Sequence, residues 1–246
     1  MLRLPGWFLM GLLGTLGAIW GSFVGALSSR WPLGKSVAKG RSHCDNCGHV
    51  VVVQDLIPIV SFLILRGKCR FCRHPIAIDA FGLELVGALI GICSWLFMPA
   101  YLSCAGALFG WLLLPLIILD LKYLWLPDRL VVTLALAGVL IGPWLAPQIG
   151  FVDRLIGAVA GYAALEALRR VYLKFKNHEG MGQGDPKLFA ALGLWLGWQS
   201  LPLLLLIASG TGLLMALAAR QSSTDRMTAF PFGAYLGIGS ILLIWL

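Results

Sequence analysis

The chain has 246 residues, of which 59% are hydrophobic and only 12% charged, and its mean hydropathy is +0.86. This composition excludes a soluble globular enzyme and a disordered chain, and places the protein in a membrane. The net charge of +8 is not a nucleic-acid signal, because the basic residues follow the topology of the apolar segments.

Eight apolar segments are predicted as helices: residues 6–29, 81–98, 101–120, 129–146, 151–171, 187–199, 201–219 and 229–246. The first resembles a signal peptide, with Arg3 ahead of it and small residues near Ala26. Seven further spans follow, so it is expected to remain as an uncleaved helix. The sixth, about 20 Å long as a helix, is short for a span and suits a tilt or a start inside a wet cavity. The fold class is an all-α integral membrane protein of about eight transmembrane helices with a small cytoplasmic loop domain. The expected organisation is a first helix at 1–29, a loop domain at 30–80 and a seven-helix core at 81–246.

With the N-terminus outside, every Lys and Arg except Arg3 and Arg154 falls on the cytoplasmic side. Fusing segments six and seven would move Arg220 and Arg226 outside, so eight spans fit better. The resulting basic inner face lies beside anionic lipid.

The loop domain carries Cys44-Asp45-Asn46-Cys47 and Cys69-Arg70-Phe71-Cys72, two pairs separated by 21 residues. Each pair offers two thiolates from one tight turn, and Cys44, Cys47, Cys69 and Cys72 together make a tetrahedral zinc site. Four protein ligands leave no open position, so the metal is expected to clamp the loop and not to catalyse. Between the pairs, Val50–Val53 is predicted as a short strand, and the apolar run Leu56–Leu65 suits the membrane surface. Cys93 and Cys104 are expected as small buried residues, with a disulfide between them as the alternative.

Charge inside lipid is costly and marks function. Asp120 interrupts the apolar stretch Leu112–Leu126, and Asp185 ends Glu179-Gly180-Met181-Gly182-Gln183-Gly184-Asp185. The topology brings both to the cytoplasmic side at similar depth, where two carboxyls sharing a proton can activate a water. The glycines before Asp185 permit close approach by another chain, which a protease acting on an unwound helix needs. The bland alternatives are a helix cap for Asp185 ahead of Pro186 and an ion pair of Asp120 with Lys122 or Arg129. Asp128, between Pro127 and Arg129, is expected as a helix cap. Glu84, early in span two, is placed to hold a basic residue of that loop or to contact a ligand. Glu166 is expected to pair with Arg169 and Arg170.

Several motifs then occur in order: Gly21-Ser22-Phe23 and Arg30-Trp31-Pro32, the two cysteine pairs, Ile57-Pro58-Ile59-Val60-Ser61, Arg66-Gly67-Lys68-Cys69, and Glu84. Asp120 follows, eight residues before Asp128 of Leu126-Pro127-Asp128. The set ends with Gly180–Leu188 and Pro231-Phe232-Gly233. On these the chain resembles the bacterial type IV prepilin leader peptidases, aspartic membrane proteases that also process type II secretion pseudopilins. The resemblance implies Asp120 and Asp185 as the catalytic pair, with no metal in the protease site. It implies prepilin or pseudopilin substrates with a short basic leader, a Gly–Phe type cleavage bond and an apolar helix lying in the bilayer. Docking would rest on that helix and on acids such as Asp120, Asp185 and Glu179. It further implies N-methylation of the new N-terminus by S-adenosylmethionine, with Gly67, Lys68 and Glu84 as the supporting residues. It implies the bacterial inner membrane with a periplasmic N-terminus. Leu121-Lys122-Tyr123 departs from the family, many of whose members have a second acid and a histidine there. The rivals are another GxGD intramembrane protease, a proton-coupled transporter and a structural scaffold.

Overall fold

In hydrocarbon each backbone amide must find its partner within its own segment, so the apolar stretches of this chain become helices. The computed structural model describes residues 5–36, 42–44, 46–176, 181–222 and 230–245. Its helices are α1 (Gly6–Arg30), α2 (Val60–Ile64), α3 (Ile78–Phe97), α4 (Ser103–Tyr123), α5 (Asp128–Leu145), α6 (Phe151–Lys176), α7 (Gly184–Ser222) and α8 (Phe232–Trp245). Among the described residues α1, α3, α4, α5 and the Trp198–Leu217 part of α7 are long and apolar enough to cross a membrane. All eight predicted apolar segments are helical, and this is a multi-pass, all-α membrane protein.

The expected strand at Val50–Val53 does not form. Val50 makes only an isolated bridge with His43, and Val53–Leu56 is a 3₁₀ turn. The β-branched run lies in a short excursion between two metal-type turns, with no second strand beside it for a ladder.

The chain forms two compact units, Met1–Ala107 and Leu108–Leu246, whose boundary falls within α4. In the first unit, α1 and α3 pack backbone against backbone. A methyl on Gly21 would strike the Leu83 carbonyl, and one on Gly87 would strike the Gly17 carbonyl, the small-residue contact expected between helices in lipid. Both free cysteines outside the quartet lie in this unit, and Cys104 is exposed where a buried residue was expected. It sits in the first turn of α4.

In the second unit α7 is broken at Gly197, whose backbone (φ 71°, ψ 168°) is open to glycine and strained for other residues. Predicted segment six (187–199) runs two residues past this break, and segment seven (201–219) lies wholly beyond it. Arg154, 1% exposed, fills the break. Its Nη1 donates to the carbonyls of Leu194 (2.8 Å) and Trp195 (2.7 Å), and its Nη2 to those of Gly142 (2.8 Å) and Ala146 (2.6 Å). The guanidinium fork thus satisfies helix-end carbonyls of α5 and α7 together. Trp195 closes the core, donating Nε1–H to the Leu134 carbonyl at 2.9 Å and packing its ring 4.8 Å from that of Phe109.

Candidate active site and metal centre

Asp120 lies in the last turn of α4 and Asp185 in the first turn of α7. They are 5% and 4% exposed. Their meeting point is the first turn of α8. A methyl placed on Gly233 would lie 2.9 Å from Asp185 Oδ1, 3.1 Å from Asp120 Oδ2 and 2.7 Å from Leu126 Cδ1. The two carboxylate oxygens therefore cannot be further apart than the sum of their distances to that point. Ala234 N–H donates to Asp120 Oδ2 at 2.7 Å, and Gly182 N–H donates to Asp185 Oδ2 at 3.1 Å.

The free N–H groups that begin a helix are unsatisfied in its own hydrogen-bonding pattern. Those of α8 are used to hold a carboxylate from a distant helix. Asp185 does not cap its helix forward; it reaches back to Gly182, so its other oxygen stays turned to Asp120 and Gly233. Glu179 and Gly180 lie outside the described residues.

The competing acids are engaged elsewhere. Asp128 opens α5 but makes no cap bond. Its exposed carboxylate accepts from Lys187 Nζ at 2.6 Å, because α7 brings that ammonium within reach. Glu166 pairs with Arg169 Nε (2.9 Å) and Arg170 Nε (2.6 Å), as expected for helical neighbours.

The Sγ atoms of Cys44, Cys47, Cys69 and Cys72 lie within 4.8 Å of one another, and Cys44 and Cys72 are 3.8 Å apart. A tetrahedron with Zn–S bonds of about 2.3 Å has edges of about 3.8 Å, so the donor set fits a structural metal. The two turns share one hydrogen-bonding scheme. Cys44 N–H donates to His49 O and Cys69 N–H to His74 O, while Gly48 N–H donates to Cys44 O and Arg73 N–H to Cys69 O. Backbone N–H groups of Cys47 and Asn46 hold the Cys44 thiol below its ordinary pKa, and that of His74 does the same for Cys72, whereas the Cys47 thiol, despite the His49 N–H, is pushed up to about 11 by burial and the neighbouring Cys72 thiol. The turns are joined by the His49 and Phe71 rings, 3.7 Å between centroids, and Arg70 of the second turn forks onto Asp55 at 2.6 and 2.9 Å.

Behind the metal turns, Glu84 Oε2 accepts from Ile59 N–H at 2.7 Å, holding that residue at φ 65°. Phe62 stacks on Phe81 at 4.4 Å. Gly67 has φ +67°, and the Phe62 ring lies 3.0 Å from where its Cβ would be. Glu84 and Gly67 thus shape the loop backbone, and Lys68 is exposed beside them.

Two family models match this chain. Residues 15–98 match the Bacterial Peptidase A24 N-terminal domain, and residues 107–217 match the Type IV leader peptidase family. A prepilin leader peptidase/N-methyltransferase of Aeromonas hydrophila is 39% identical over 213 residues, covering 83% of this chain and 71% of that protein. One of Pectobacterium carotovorum subsp. carotovorum is 33% identical over 260 residues, covering 96% and 92%. This chain belongs to the type IV leader peptidase family. A namesake in Pseudomonas aeruginosa is 38% identical over 207 residues, covering 83% of this chain and 71% of that one. No solved structure matches.

In this type IV leader peptidase the two matches meet beside the boundary between the structural units. Sequence reasoning left three parts of its sites without a role. Gly233 and Ala234 were visible only as a short motif far from either aspartate. Leu126, 9% exposed, packs against the Cβ positions of both Gly184 and Gly233, a contact that its place in the Leu126-Pro127-Asp128 motif did not foretell. The third was legible: Cys-x-x-Cys-x-His occurs twice, at Cys44–His49 and Cys69–His74, and the shared hydrogen bonds follow that repeat.

Proposed function

We propose that this chain is a membrane aspartic endopeptidase that removes the short basic leader of type IV prepilins or type II secretion pseudopilins at a Gly–Phe type bond. We propose also that it N-methylates the new N-terminus, as the names of its relatives say of them. The observation that carries the peptidase reading is the approach of buried Asp120 and Asp185 to one point over Gly233. A scaffold gives no reason for two acids to face each other across a glycine, and a transporter gives none for the two peptidase family matches.

In the proposed mechanism the pair shares one proton. The ionised carboxylate takes a proton from a water, whose oxygen attacks the scissile carbonyl. The protonated partner donates to the developing oxyanion, and a proton later passes to the leaving amine. Gly233 leaves room for the peptide between the carboxyls, and Ala234 N–H fixes the Asp120 carboxylate. No covalent enzyme intermediate forms.

Zinc would be held by Cys44, Cys47, Cys69 and Cys72, and would supply a cross-link between the two turns of the loop domain. S-adenosylmethionine would supply the methyl group. Gly67, Lys68 and Glu84 would support that transfer, and Gly67 and Glu84 also shape the loop backbone beside it. The reading places the protein in the bacterial inner membrane with a periplasmic N-terminus, and the loop and both aspartates on the cytoplasmic side. Its parts are then a first helix at 1–29, the zinc loop at 30–80 and the protease core at 81–246.

The test is to incubate the purified, zinc-loaded protein in detergent with a leader-bearing pilin peptide and labelled S-adenosylmethionine, and to measure both products. Cleavage at the Gly–Phe bond with label on the new N-terminus is expected. A folded protein that leaves the peptide whole overturns the reading.

A further inference from the structure

α3 has 20 residues with a mean hydropathy of 1.9. About 20 helical residues are needed to cross the hydrocarbon core, so α3 has little length to spare beyond the bilayer. Phe81 and Glu84 are its fourth and seventh residues. Both hold the segment around α2: the Phe81 ring stacks on Phe62, and the Glu84 carboxylate accepts from Ile59 N–H. At 1.5 Å per residue, Glu84 lies about 9 Å along the helix axis from its start. A segment tied at that depth is in the membrane interface and not above it.

The side of α2 away from Phe81 is apolar. Val60, Leu63 and Ile64 share a helix face and are 48%, 62% and 71% exposed, with Leu56 and Ile57 at 49% and 52% just before them. Exposed Arg66, Lys68 and Arg73 follow directly. The neighbouring carboxylate of Asp55 does not offset them, since it is 8% exposed and bound by Arg70.

We propose that the Leu56–Ile64 segment is a monotopic anchor that seats the metal loop on the bilayer, its apolar face among acyl chains and Arg66, Lys68 and Arg73 on anionic phospholipid headgroups. Apolar burial and headgroup attraction act together in such elements. The Glu84–Ile59 bond sets the depth, because it pairs an amide that would otherwise face hydrocarbon. This inference stands on the first structural unit alone and does not depend on the peptidase reading.

The test uses the full-length, metal-loaded protein in nanodiscs of phosphatidylcholine alone or with added phosphatidylglycerol. A photoreactive side chain replacing Leu63 is expected to give lipid adducts. Backbone hydrogen exchange over 56–65 is expected to slow at least about fivefold when phosphatidylglycerol is present, one basic contact being worth roughly that factor. The Arg66→Ser/Arg73→Ser double variant should keep the adducts and lose most of the lipid-class effect. Should that variant misfold, the comparison of the two lipid mixtures with the parent sequence still decides the matter. Protein-only adducts, or exchange as fast as in an unstructured peptide, overturn the anchor; adducts with no response to phosphatidylglycerol overturn the headgroup contact.

Discussion

Asp120 and Asp185 approach each other from opposite helix ends, one in the last turn of α4 and the other in the first turn of α7. Both face the Cβ position of Gly233, at 3.1 and 2.9 Å. A carboxylate at a helix C-terminus is set against the macrodipole of its own helix. The Ala234 N–H of a third helix supplies the opposing dipole.

Asp120→Asn and Asp185→Asn are each expected to lower cleavage of a leader-bearing pilin peptide by at least about a thousandfold, within the range of a lost general acid or base, with helical circular dichroism unchanged. Asp128→Asn should stay within a few-fold of the parent, since its exposed bond to Lys187 contributes about 0–1 kcal/mol. Normal turnover in Asp120→Asn together with its loss in Asp128→Asn would refute the assignment.

Gly233→Ala adds one methyl against Leu126 and both carboxylates. Overpacking of this kind costs about 1–3 kcal/mol, and a shift of about 1 Å between reacting groups costs about a hundredfold in rate. Cleavage is expected to fall by that factor, with a small drop in melting temperature. Leu126→Ala in the same chain opens space and should restore part of the activity. A Gly233→Ala variant with full activity would show that the gap between the carboxyls is not used.

Cys44→Ser or Cys72→Ser removes one of four thiolates from the metal centre. The purified parent is expected to carry zinc equimolar with the chain by elemental analysis, and either variant to lose most of it. Methylation should fall in step with zinc content while cleavage persists, because both aspartates belong to the other structural unit. Metal-free parent protein with undiminished methylation would exclude the clamp.

The Asp55–Arg70 fork gives the loop domain a pH dependence. Arg70 donates two hydrogen bonds to Asp55 and holds its carboxyl below the usual carboxylate range. A depressed folded pKa stabilises above the unfolded value, about 3.9, and that contribution is lost as pH falls through the folded value. Arg70 is 45% exposed, so the effect is under about 1 kcal/mol. Hydrogen exchange of residues 53–72 should accelerate modestly below about pH 4 in the parent, and Asp55→Asn should flatten that limb.

Arg154→Met leaves the carbonyls of Gly142, Ala146, Leu194 and Trp195 without their donor. Unpaired buried acceptors cost about 1–3 kcal/mol each, so a loss of at least about 3 kcal/mol is expected in detergent unfolding. Arg154→Lys should recover little, because an ammonium cannot span both helix ends as the planar fork does. A melting curve unchanged in Arg154→Met would refute this role.

The sequence by itself determined the membrane class, the helical segments and the metal-type quartet, and it pointed to Asp120 and Asp185 as the candidate pair among the acids. Each of these follows from local composition and spacing: runs of apolar residues, thiols two apart, a carboxylate where charge is costly. A β-branched run such as Val50–Val53 misleads at that level, because a strand needs a neighbour that only the folded chain supplies. The tertiary structure decided that α8 donates Ala234 N–H to Asp120, that Gly197 breaks α7 with Arg154 filling the break, and that Glu84 holds Ile59. Backbone N–H and C=O groups are the same at every position, so no residue type marks which of them will be left unpaired or which distant side chain will reach it.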